Sequence, residues 1–173
     1  KLAQFDVIIA GGGTAGCVLA SRLSEDPRRS VLLLEAGPDY PDLPRLPPES
    51  ADSSYPAYSH DWGYASNPGV SGRSIKLPRG KLVGGCSATN AAIALRGAPR
   101  DYDAWAALGN PGWSYQEVIP YFLRLETDLD FPDGSHGRYG PIVISRFPPE
   151  KLGRVQRDFL ETCWAEGCPR VAD

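Results

Sequence analysis

Apolar residues cluster at the start of the chain in a strand, helix, strand order. Phe5 to Ala10 is a short β-branched run, and Thr14 to Ser24 carries Ala15, Val18, Leu19 and Leu23 at helical spacing. Val31 to Leu34 is a second unbroken apolar run. Strands without alternation flanking a helix predict a βαβ unit with parallel strands covered on both faces, hence an α/β, Rossmann-like fold. From Pro38 to Pro78 the pattern dissolves into turn residues interspersed with Tyr55, Tyr58, Trp62 and Tyr64, which predicts a long irregular stretch. Periodicity then returns. Asp101 is positioned to cap "YDAWAAL". Ser114 can cap "YQEVIPYFLRLE", with Glu117 completing a capping box. "GPIVIS", Gly140 to Ser145, reads as a strand, and Lys151 to Glu166 as an amphipathic helix through Leu152, Val155, Phe159, Leu160, Cys163 and Trp164.

Two glycine-rich stretches interrupt this pattern. The first, "GGGTAG", places Gly11, Gly13 and Gly16 in a GxGxxG spacing directly after a strand and at the opening of a helix. In that setting Gly11 permits the tight turn, Gly13 lets the backbone approach a pyrophosphate, and Gly16 lets helix and strand pack closely. The helix N-terminus, near Thr14 and Ala15, offers N–H donors and a dipole that favours an anion. Glu35 ends the second strand where a carboxylate can accept hydrogen bonds from a ribose. The unit predicts an adenine dinucleotide and leaves FAD and NAD both open.

The second stretch, "RGKLVGGCSATN", runs from Arg79 to Asn90. Gly84 and Gly85 can bring backbone against a flat ligand, and Ser87 can cap a short helix carrying Asn90, Ala91, Ala92 and Ile93. Arg79 and Lys81 can meet phosphates or simply be solvated. A second contact surface points to an extended cofactor.

Composition narrows the classes further. A net charge of -3 without Lys/Arg runs argues against nucleic-acid binding. No apolar run is long enough to span a bilayer. Cys17, Cys86, Cys163 and Cys168 form no CxxC pair and have no His in zinc spacing, so free thiols in a reducing, cytoplasmic setting and no metal site are expected.

"RGKLVGGCSATNAAIALRGAPRDYD", with "DVIIAGGGTAGCVLASRLSE", "DYDAWAALGNPGWSYQEVIPYF" and "HGRYGPIVIS", resembles the N-terminal part of the glucose-methanol-choline (GMC) oxidoreductases, which use FAD. The resemblance implies diphosphate contacts from Gly11, Gly13, Thr14, Ala15 and Gly16. It places Glu35 on the adenosine ribose, with Ala36 beside it among the cofactor-binding residues. Arg79 to Ser87, including Gly80, Val83, Gly84 and Gly85, would wrap the cofactor, and Asn90, Ala91, Ala92 and Ile93 would lie beside the isoalloxazine. Trp62 would pack near the cofactor or anchor its loop. Cys86 would fill space. Thr89 stands where some relatives carry a histidine bonded to the flavin, which implies noncovalent FAD.

The family's catalytic histidine belongs to a C-terminal motif absent from these residues, so His60 and His136 receive no catalytic role. Residues 1–145 would form the FAD-binding region and 146–173 the start of the substrate domain. The remainder of the enzyme would be present as a continuous, nicked or separate chain. The implied activity is oxidation of a small CH–OH substrate, a primary or aromatic alcohol favoured, with hydride transfer to flavin N5 and reoxidation by oxygen or another acceptor. Hydroxynitrile lyases and fatty-acid photodecarboxylases share the resemblance, and a cofactor-binding module of a split complex is a third expectation.

Overall fold

The computed structural model describes residues 3–52, 59–131 and 134–171, so the expected aromatics Tyr55 and Tyr58 lie outside the described residues. Packing divides the chain into two units, Lys1–Ile93 and Ala94–Asp173. That division is distinct from the functional boundary expected at residues 145 and 146.

The first unit begins with the expected βαβ order: β1 (Val7–Ala10), α1 (Thr14–Leu23) and β2 (Val31–Leu34). β1 and β2 pair in parallel, Val7 opposite Val31 through Ala10 opposite Leu34. The strand is shorter than the apolar run, because Phe5 and Asp6 precede the ladder. α1 packs tightly on the turn before it: a Cβ at Gly16 would stand 1.9 Å from the Gly11 carbonyl oxygen and 3.4 Å from the Ile9 side chain. The expected cover on both sheet faces is partial. Ile9 is buried, whereas Ile8 and Leu34 are exposed, since two strands and one helix cannot enclose both faces.

The Pro38 to Pro78 region is irregular as expected, broken by the short helix α2 (Pro48–Ala51) and the two-residue strands β3 (Tyr64–Ala65) and β4 (Lys76–Leu77), which pair antiparallel. The Trp62 N–H donates to the Arg79 carbonyl at 3.0 Å and the Lys81 N–H to the His60 carbonyl at 2.7 Å, extending that hairpin inward. It delivers Leu82 into the core, where it is 1% exposed. Beyond Leu82, the Val83 N–H donates to Pro38 O at 3.0 Å and the Gly84 N–H to Gly12 O at 2.7 Å. The long loop is therefore sewn to the residues that follow both strands.

The second unit contains α3 (Pro99–Ala107), α4 (Tyr115–Leu125), β5 (Glu126–Asp128), β6 (Ile142–Ile144) and α5 (Arg154–Ala165). Three expectations shift here. Asp101 is not the cap of α3: Pro99 occupies the first turn, preset for helical φ, so Ala98 becomes the N-cap and Asp101 lies in the first turn, where its charge still suits the dipole. α4 begins at the expected Ser114, whose N–H donates to Glu117 Oε2 at 3.1 Å, but it ends at Leu125 because Glu126 starts β5. α5 begins three residues late, since Pro149–Lys151 form a 3-10 turn and Gly153 caps the helix, its N–H bonded to Gln156 Oε1. Tyr102 packs edge-on against Trp105 and Phe122, joining α3 to α4. Among the described residues no helix is long and apolar enough to cross a membrane.

The close approach after β2 has a measurable consequence. A Cβ at Gly37 would stand 1.9 Å from the Lys81 carbonyl oxygen, a clash with backbone that cannot yield cheaply, whereas Gly72 has φ +70 and open space around it. Gly37→Ala is expected to cost about 3 kcal/mol and Gly72→Ala about 1 kcal/mol, read from urea unfolding midpoints. Equal losses would contradict this packing.

Candidate functional site

The first glycine run turns β1 into α1 through Gly11, whose φ of +99 lies in the left-handed region. Its N–H donates to the Leu34 carbonyl at 2.8 Å, so the turn leaves directly from the parallel ladder. Gly13 is the N-cap of α1; no side chain caps the helix and no acid lies in its first turn. First-turn N–H groups lack intrahelical acceptors, and this end of α1 keeps competing carboxylates out of that turn. A Cβ at Gly11 would meet nothing within 4 Å, leaving open space above the turn.

Glu35 closes one side. Its Oε2 accepts the Gly12 N–H at 2.7 Å and its Oε1 the Gly37 N–H at 2.9 Å. The Gly37 N–H, with that of Gly12, outweighs burial and holds the carboxyl below the usual carboxylate range. Glu35 is thus an ionised acceptor with lone pairs to spare on both oxygens.

The second glycine run sits against the first. Besides the Gly84 to Gly12 hydrogen bond, a Cβ at Gly85 would stand 2.8 Å from Gly13 Cα, and one at Gly80 would stand 2.5 Å from the Gly85 carbonyl carbon. Glycines 80, 85 and 13 form three layers of bare backbone. The absence of side chains at Gly80 and Gly85 is thereby required by neighbouring backbone, not only by a ligand. Ser87 Oγ donates to Gly84 O at 2.6 Å, and Cys86 Sγ accepts the Gly80 N–H at 3.4 Å, so both side chains brace the turn.

Ser87 does not cap a helix. It lies inside a 3-10 turn, Gly85–Ala88, and Asn90 to Ile93 are not helical. The Asn90 Oδ1 accepts the Ala92 N–H at 2.7 Å and Ala92 takes φ +52, a side-chain-closed turn that competes with helix formation. Asn90, Ala91, Ala92 and Ile93 form an exposed stretch beyond the junction. Around the hairpin, the Arg79 N–H donates to Asp61 Oδ1 at 2.9 Å, and its guanidinium to Pro78 O at 2.6 Å. The Lys81 ammonium lies 4.8 Å from the Trp62 ring centroid, and Trp62 stacks on Tyr64 with planes 5° apart. The structure thus joins Gly11, Gly13 to Gly16, Glu35, Ala36, Gly80, Val83, Gly84, Gly85 and Ser87, with Trp62 and Arg79 on the adjoining hairpin.

Residues 5–173 match the sequence profile described as GMC oxidoreductase. The chain belongs to the GMC oxidoreductase family. Over 98% of its length it is 40% identical to a 5-(hydroxymethyl)furfural oxidase of Methylovorus sp. (strain MP688), of which it covers 34%. A pyridoxine 4-oxidase structure from Mesorbium loti superposes with a TM-score of 0.82 at 37% identity, over 97% of this chain and 33% of that one. An FAD-dependent oxidoreductase from Chaetomium thermophilum gives 0.79 at 38%, over 98% and 31%. The chain spans about a third of the length of these relatives. The N-terminal domain of GMC oxidoreductases binds FAD. The residues present suit it: an acid-free helix N-terminus for the diphosphate, an ionised acceptor for a ribose, and open space over Gly11.

The second unit holds a cluster that sequence reasoning missed. Glu126 Oε1 accepts Arg96 Nη2 at 2.5 Å, His136 Nδ1 at 3.0 Å and the Gly137 N–H at 2.9 Å. Asp128, its side chain wholly buried, pairs with Arg146 and lies 3.1 Å from His136 Nδ1. Spacing of i and i+2 on one strand put both carboxylates on one face, which was the available signal. The cluster clamps β5 to the His136 loop and to Arg146, two residues after β6, a structural task. His60, for its part, has both ring nitrogens engaged, Nε2 with Tyr40 Oη at 2.7 Å and Nδ1 with Ser59 Oγ at 2.6 Å.

Burial pushes Asp128 upward, but the Arg146 hydrogen bond and the Phe131 and Asp130 N–H groups outweigh it and bring the carboxyl from 3.8 to about 2. A depressed folded-state value means stability that is complete above pH 3.8 and lost as pH falls through about 2. Asp128→Asn is therefore expected to be less stable than the parent at neutral pH, the gap narrowing below about pH 4 and closing near pH 2. A gap that stays constant across acid unfolding curves would show that the carboxylate charge plays no part.

Proposed function

We propose that the whole protein is an FAD-dependent oxidoreductase acting on CH–OH groups, and that this chain supplies most of its FAD site. The observation that carries the reading is the contact between the two glycine runs, which makes one continuous backbone surface of two glycine turns where a phosphate turn alone would need only the first. Bound FAD would supply the hydride acceptor, at flavin N5, for oxidation of the alcohol carbon. Gly11, Gly13, Thr14, Ala15 and Gly16 hold the diphosphate with backbone donors and the α1 dipole. Glu35 accepts from the adenosine ribose while its bonds to Gly12 and Gly37 fix its orientation. Arg79 to Ser87 flank the cofactor, Trp62 packs near it, and Asn90 to Ile93 approach the flavin end, where N–H and amide donors stabilise negative charge.

Residues 1–145 serve the cofactor and 146–173 open the substrate domain in this reading. The group that takes the hydroxyl proton lies elsewhere in the enzyme, since His60 and His136 are both engaged structurally. A primary alcohol on an aromatic ring is favoured, because the furfural oxidase named above is named for a substrate that carries a hydroxymethyl group on such a ring. Bound FAD would in turn be reoxidised by oxygen or another acceptor.

Thr89 offers no nucleophilic nitrogen to a flavin, so FAD is held noncovalently. The visible spectrum of the purified full protein, repeated after acid precipitation, tests both points. Oxidised-flavin bands that move into the supernatant are the expected result. Bands that stay in the pellet would overturn the noncovalent assignment, and a protein that takes up no added FAD would overturn the cofactor assignment itself.

A further inference from the structure

The C-terminus of α5 is closed by a motif that hydrogen-bonds the backbones of two cysteines, Cys163 and Cys168. The Cys168 N–H donates to the Cys163 carbonyl at 2.9 Å, and the Gly167 N–H to the Trp164 carbonyl at 3.1 Å. Gly167 has φ +89. These are the paired six-to-one and five-to-two bonds of a Schellman motif, in which Cys163 is C3, Gly167 is C′ and Cys168 is C″. Side chains at C3 and C″ characteristically touch in that motif, normally as an apolar contact. Here both are thiols. Cys163 is half-buried and Cys168 exposed, and the two are not bonded to each other. The next residue, Pro169, cannot extend the helix, and the Arg170 guanidinium lies 4.0 Å from the Trp164 ring centroid over the same turn.

The other two cysteines have different surroundings. The Cys17 thiol donates to Gly12 O at 3.1 Å and Cys86 accepts from Gly80, both inside the glycine junction. Neither occupies a motif that supplies a second thiol.

We propose that Cys163 and Cys168 form a reversible disulfide when the protein meets hydrogen peroxide. One thiol loses its proton, and the thiolate attacks a peroxide oxygen, breaking the O–O bond, leaving a sulfenic acid and expelling hydroxide, which that proton converts to water. The second thiol likewise loses its proton, and its thiolate attacks the sulfenic sulfur, breaking the S–O bond and expelling hydroxide, which becomes the second water. Two thiols lose two electrons and two protons, peroxide gains them, and one S–S bond is made. The bond converts a hydrogen-bonded helix end into a covalent one. An oxygen-reducing flavoenzyme releases this oxidant next to itself, but the chemistry does not rest on that reading, because the test adds the peroxide.

The experiment treats the full protein with hydrogen peroxide, alkylates remaining thiols, and analyses the tryptic digest by mass spectrometry. Cleavage after Arg157 and Arg170 releases both cysteines on one peptide, Asp158 to Arg170. The expected product is that peptide short of two hydrogens and unalkylated, restored to two alkylated cysteines by prior reduction with a dithiol. Gly167→Ala, which disfavours the left-handed C′ residue, is expected to form the bond several-fold more slowly. Alkylation of both cysteines, or their separate oxidation to sulfinic acids, would overturn the proposal. An unchanged rate in Gly167→Ala would overturn the role of the motif.

Discussion

The contact of one glycine-rich backbone with another is the constraint on which the first unit depends. The Gly84 N–H reaches the Gly12 carbonyl, and Gly85 lies against Gly13 with no room for a side chain between them. Because the first run is the hinge between β1 and α1, the second run is held at the mouth of the parallel ladder. The loop from Pro38 onward is then obliged to travel out through the β3–β4 hairpin and return, burying Leu82 as it does so. Glu35 serves the same junction from the side, tying Gly12 and Gly37 with its two oxygens. The first glycine turn and its partner surface are in this way one piece of architecture.

The βαβ start was legible because three independent signals agreed: apolar runs of strand length, helical spacing between them, and glycines where the backbone must turn or approach. Ser114 and Glu117 marked the start of α4 for the same reason, a local hydrogen bond that needs no tertiary partner. What escaped was one contact distant in sequence and two local competitions that the pattern left undecided. Nothing in "VGGCSATNAA" announces that Gly85 packs on Gly13, and the Asn90 to Ala92 hydrogen bond won over the small-residue run that resembled a helix. Asp101 lost the cap of α3 to the simpler demand of Pro99 for a fixed φ.

In the second unit, charge rather than apolar burial does the organising. Glu126 and Asp128 are buried with Arg96, Arg146 and His136 around them, and such clusters hold only when every member keeps its partners. A buried network of this kind makes the register of β5 against β6 costly to change. It also explains why His136, despite its company of carboxylates, belongs to the scaffold.

The central claim, that both glycine runs face one cofactor, is tested most directly by hydrogen exchange on the full protein with and without FAD. FAD is expected to slow exchange at residues 12–16 and 79–93 together, with half-saturation at one FAD concentration. Slowing confined to residues 12–16 would contradict it, leaving an ordinary phosphate turn and a second run that serves packing only.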